Sequence, residues 1–215
     1  MCSTGKGLAL QQQDAYNWRL KEAQAAKERG NAVQQVKGTR PIDEKKLREA
    51  VFSYQRGCMY LAEYLPETTD GVEENLQDML VSRQRRARRC PLDEKQLTEV
   101  VDLYAALQKN LALVNYRLGR YAKGVECATA VLALPGCAND KKALLRRAFC
   151  NCSLTDFVAA EADLDALERL CKDENAPLDP SFQELRGKIS TARREALEKE
   201  RRMCKKMFAS EQRNK

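Results

Sequence analysis

Asn110-Leu111-Ala112-Leu113-Val114-Asn115-Tyr116-Arg117-Leu118-Gly119-Arg120-Tyr121 reads as the end of one amphipathic helix, a two-residue turn and the start of another. The same arrangement returns about 36 residues later, where Leu154-Thr155-Asp156-Phe157 takes the place of Leu118-Gly119-Arg120-Tyr121. In this alignment Ala112 meets Ala148, while Ala128 and Val131 meet Leu164 and Leu167. A small residue lets two antiparallel helices approach closely, and an aromatic just after the turn fills the gap between them. The pattern predicts helical hairpins in tandem, with a period close to the 34 residues of a tetratricopeptide repeat.

Working outward, apolar spacing predicts a helix over 14–36, with Leu20, Ala23, Lys27 and Gly30 near one face and Trp18 as a core or packing residue. Lys37-Gly38-Thr39-Arg40-Pro41 breaks it, and Asp43 is placed to cap a helix carrying Leu47, Ala50, Val51, Tyr54, Cys58 and Leu61. A polar segment follows between Pro66 and Pro91, with a short helix expected around 73–86. Further helices are expected over 93–118, 121–134, 139–153 (Asn139 as its cap), 157–171 and 181–210. The resulting division is a disordered terminus at 1–13, three helix pairs over 14–172 with a basic insertion at about 66–92, and a C-terminal capping helix within 173–215.

Composition narrows the function. Apolar residues make up 43% and charged residues 32% of the 215 residues, with 10 Gly and 6 Pro, which favours long helices over a turn-rich sheet. No window approaches the roughly 18 apolar residues of a membrane span. The sequence contains no histidine, nucleophile elbow, phosphate-binding glycine loop or carboxylate-rich metal loop, so neither catalysis nor a cofactor is expected. The nine cysteines are scattered, with only Cys150 and Cys152 close together. They read as small buried hydrophobes of a reducing compartment, cytoplasmic or also nuclear.

The net charge of +7 is concentrated at 181–215 and in the run Arg83, Arg85, Arg86, Arg88 and Arg89. That run lacks the interleaved aromatics of a base-stacking surface and reads as a solvated face, which disfavours nucleic acid as a partner. The last helix joins Leu197, Met203, Met207 and Phe208 to many basic residues. A calmodulin-type partner or an acidic lipid surface fits that composition. The simpler reading is a cap on the last repeat with a projecting end, Met207-Phe208 forming a small docking knob.

Four stretches carry a resemblance: Lys27-Glu28-Arg29-Gly30-Asn31; Asn110-Leu111-Ala112 with the turn after it; Lys142-Ala143-Leu144-Leu145-Arg146-Arg147-Ala148 with Asp156-Phe157; and Glu200 to Phe208. Together they resemble the tetratricopeptide domains of FKBP-type and cyclophilin-type immunophilin co-chaperones, over nearly the whole chain. Two departures stand out: the first turn is long and lacks its aromatic, and Gly124 stands where the family pattern has Ala. The resemblance implies an all-α superhelix of three repeats with a long C-terminal helix. It also implies a two-carboxylate clamp, with Lys27, Asn31 and Asn110 on a main-chain carboxylate and Lys142 and Arg146 on a side-chain carboxylate. The implied partner is a Glu-Glu-Val-Asp tail of heat-shock protein 90 or 70, and the implied role is a non-catalytic adaptor. The alternatives are the repeat portion of a peptidyl-prolyl isomerase whose catalytic domain lies elsewhere, and a basic helical nucleic-acid binder.

Overall fold

Carboxylates start most of the helices. In the computed structural model, which describes residues 4–34, 43–65 and 92–213, Asp43 accepts from the Lys45 amide at 3.2 Å. Asp93 accepts from Gln96 at 2.7 Å while the Gln96 side chain reaches back to the Asp93 amide, a reciprocal capping box. Asp140 caps through Ala143 at 2.9 Å and Asp156 through Ala159 at 3.0 Å. Each such cap stabilises its helix by about 1 kcal/mol. The elements are α1 (Thr4–Gln34), α2 (Glu44–Leu61) with a 3-10 turn at Ala62–Tyr64, α3 (Glu94–Arg117), α4 (Tyr121–Leu132), α5 (Lys141–Ser153), α6 (Phe157–Asp173) and α7 (Pro180–Arg213). Among the described residues there is no strand.

The repeat is visible atom by atom in the turns. Gly119 and Thr155, equivalent in the alignment, both have left-handed backbone, with φ of 71° and 63°. The amides of Arg120 and Asp156 close the same bond, to Asn115 O at 2.8 Å and Asn151 O at 3.0 Å. Thr155 takes this geometry at a cost of about 1–2 kcal/mol that glycine avoids.

The helices pack as neighbours along the chain, and α3 additionally touches α1 and α5. The core is a string rather than a ball. One cluster joins Tyr16, Ala23, Leu47, Tyr54, Leu107 and Val114; a second joins Val101, Val131 and Ala143; a third joins Leu164, Leu167, Phe182, Leu185 and Ile189. Such an array gains stability interface by interface. Phe182, Leu185 and Ile189 dock the first part of α7 on α5 and α6, and Arg186 binds Asp165 and Glu168. From Arg193 to Lys205 every α7 side chain is exposed, Leu197 and Met203 included.

Several sequence expectations are corrected. The N-terminal helix begins at Thr4, so 4–13 is helical where disorder was expected. Leu8 to Gln13 are good helix formers, and extending an existing helix needs no apolar face. Trp18 is 55% exposed and rests edge-on against Tyr60, while Tyr16 is the buried aromatic. Two residues along a helix is about 200° of turn, so only one of the pair can face the core. Asp140, rather than Asn139, caps α5. The expected helix at 73–86, the arginine run and the side chains of Met207 and Phe208 lie outside the described residues.

Candidate functional site

The first helices of the three pairs, α1, α3 and α5, lie side by side. Asn31 on α1 and Asn110 on α3 are joined directly: Asn110 Nδ2 donates to Asn31 Oδ1 at 3.0 Å. The same oxygen accepts from the Tyr54 hydroxyl of α2 at 2.8 Å. That hydroxyl in turn accepts from Gln34 Nε2 at 2.8 Å, and Gln34 Oε1 accepts from Arg117 Nη1 at 3.4 Å. Tyr54 is fully buried, and its ring packs on Gly30, where a Cβ would lie 2.4 Å from Cε1. Gly30 is therefore obligatory, because any side chain there would displace the ring that holds Asn31.

Arg146 on α5 completes the group. Its Nη1 is buried and has no hydrogen-bond partner. Burial lowers its pKa; Asp140 and Tyr54 act in the opposite direction, and nearby Arg117 lowers it further. Tyr54 is shifted upward by burial, against its bond to Gln34 and the fields of Arg146 and Arg117. A guanidinium beside another cation, partly withdrawn from water, favours an arriving anion. Its neighbour Arg147 is satisfied, with Nε and Nη2 on the buried Asp163 carboxylate at 3.0 and 2.6 Å. One arginine of the pair is structural; the other is unspent.

Of the five residues carried over from the resemblance, Asn31 and Asn110 touch, and Arg146 reaches the pair electrostatically through Tyr54. Lys27 and Lys142 stand one helical turn before Asn31 and Arg146, and neither makes an ion pair among the described residues. Lys142 is exposed; Lys27 is half-buried at the edge of a cleft between α1 and α3. Sequence reasoning missed Gln34, Arg117 and the Tyr54 hydroxyl. Two of them were within reach: Gln34 is three residues beyond Asn31 and Arg117 seven beyond Asn110, spacings that share a helix face. Among the described residues no group of three or more His, Cys, Asp or Glu is placed to hold a metal, and no helix is long and apolar enough to cross a membrane.

Stacked helix hairpins with duplicated turns and a string-like core define a tetratricopeptide-repeat fold, the three-pair superhelix with a long final helix expected from the sequence. Among solved structures the chain resembles the C-terminal TPR-containing domain of an FK506-binding protein from Plasmodium falciparum, with a TM-score of 0.60. The two share 17% identity over 85% of this chain and 95% of that one, a likeness of fold. No protein-family model matches the sequence, and no curated protein matches it.

Proposed function

We propose that this chain is a non-catalytic adaptor that grips the acidic C-terminal tail of a heat-shock chaperone, of the Glu-Glu-Val-Asp type carried by heat-shock proteins 90 and 70. The observation that carries the reading is the half-buried Arg146, its Nη1 unpartnered, within the field of the Tyr54 hydroxyl that holds the bonded Asn31–Asn110 pair. A terminal aspartate offers two carboxylates, and charge-assisted hydrogen bonds from guanidinium, ammonium and amide groups suit both. With Asn31 Oδ1 occupied by Tyr54 and Asn110, its amide nitrogen remains to donate to the tail. Lys27 and Lys142 supply further positive charge, each one helical turn before Asn31 or Arg146. The free thiols among the described residues suit a reducing compartment, and the cytoplasm is the proposed location.

Each charge-assisted bond contributes about 1.5–3 kcal/mol, and ordering the tail removes part of the sum. A micromolar dissociation constant, about −8 kcal/mol, follows. Calorimetry with a peptide ending in Glu-Glu-Val-Asp tests this. Arg146→Ala and Lys142→Ala should each weaken binding at least about tenfold, or 1.4 kcal/mol, without unfolding the protein. Amidating the peptide's terminus should do the same. Unchanged affinity in both variants refutes the clamp.

A further inference from the structure

The seam that holds the asparagine pair continues into a cleft of about 660 Å³ between α1 and the first half of α3. Gln24 and Lys27 line it from α1, seven and four residues before Asn31; Glu99 and Asp102 line it from α3, eleven and eight before Asn110. Those steps keep one helix face, so the cleft and the asparagines share a single track. At its other end stand Gln34 and Arg117, joined by an exposed hydrogen bond of 3.4 Å. A peptide whose terminal carboxylate sits at Asn31 and Asn110 can follow this track to the cleft.

Charge changes sign along that path. Around Arg146 and Arg117 it is positive. In the cleft Glu94, Glu99 and Asp102 face only Lys27 and Lys95, and none of the three carboxylates has an ion-pair partner among the described residues. Tyr16, 2% exposed and outside the lining of the cleft, has an unpartnered hydroxyl that burial first, then Glu99 and Asp93, push up to about 12. When Lys27 turns to a tail carboxylate, the imbalance in the cleft grows.

Resting on the clamp reading, we infer that the cleft is a second subsite, selecting tails with a lysine or arginine four or five residues before the terminal one. Eight to eleven helical residues at 1.5 Å each span about 12–16 Å, which an extended peptide covers in about four or five residues at 3.3 Å each. Acidic tail residues two and three places from the end stop short of the cleft and stay beside the cations.

Fluorescence anisotropy tests the subsite with three peptides that share a free Glu-Glu-Val-Asp end and carry lysine, norleucine or glutamate at the fifth residue before the terminal aspartate. The lysine peptide should bind at least about threefold tighter than norleucine, and the glutamate peptide at least threefold weaker, with the spread shrinking in salt. Glu99→Lys with Asp102→Lys, both at exposed positions, should reverse the order; Asp102→Asn should narrow it. Equal binding of all three peptides, each abolished by amidation, overturns the subsite and leaves the clamp standing. Binding indifferent to amidation overturns the clamp and the subsite with it.

Discussion

Gly124 is the position where a standard improvement should fail. An alanine in a helix interior is favoured over glycine by about 1 kcal/mol. Here, however, a Cβ on Gly124 would lie 2.5 Å from the Sγ of Cys150 and 3.4 Å from the Ala112 carbonyl oxygen. Cys150 is fully buried on α5, so its sulfur cannot retreat into solvent. Overpacking of this kind costs about 1–3 kcal/mol, and contact this short belongs at the upper end. We expect Gly124→Ala to lose about 2 kcal/mol, the packing cost of about 3 less the helix gain of about 1. For a chain of this size that is a fall in Tm of about 4–8 °C. Cys150→Ala alone should cost about 1 kcal/mol as a small cavity. In the double variant the new methyl occupies the space the sulfur leaves, and stability should return to the parent's level. The cycle then shows a coupling of about 3 kcal/mol, read from urea and thermal melts of the four proteins. Additive effects, or a Gly124→Ala protein as stable as its parent with Cys150 present, would refute the reasoning.

Three further outcomes follow from the same geometry. Tyr54→Phe keeps the ring on Gly30 but removes the hydroxyl between Gln34 and Asn31; it should cost about 1 kcal/mol in a melt and weaken the tail peptide several-fold by calorimetry. Asp140 titrates below the usual carboxylate range: burial alone would raise it, but Lys109 and the Ala143 amide outweigh that. Its stabilisation is therefore complete above the unfolded value of about 3.9 and lost as pH falls through the lower folded value, so Asp140→Asn should flatten the decline in Tm between about pH 5 and pH 2. Burial pushes the thiols of Cys58 and Cys150 up to about 12. Mass-mapped alkylation of the native protein at pH 8 should label exposed Cys204 and leave those two unmodified until denaturant is added.

The fold was legible because hairpins are local. Leu118-Gly119-Arg120-Tyr121 and Leu154-Thr155-Asp156-Phe157 each set a turn within a few residues, and the matching turn bonds are what the alignment predicts. Periodicity was less able to choose between neighbours on adjoining faces. It drew attention to Trp18 and none to the buried Tyr16, and it could not say that Arg147 would turn to Asp163 while Arg146 would not. The site depends on separations that no single helix encodes: Asn31 meets Tyr54 across 23 residues and Asn110 across 79. The Tyr54 hydroxyl was hidden for another reason. At its position the ring satisfies the apolar pattern, so nothing in the spacing draws attention to the oxygen.

Arg146 has one more implication, for how the chain would drift if its sequence were shaped by robustness alone. A guanidinium with one nitrogen shut away unpartnered weakens the fold that holds it, a cost the field of Asp140 offsets only in part, and a methionine of similar reach would carry no such penalty. Arg146→Met should therefore yield a sturdier but mute protein. Retaining arginine there keeps the resting fold slightly brittle, a brittleness that only an arriving anion relieves.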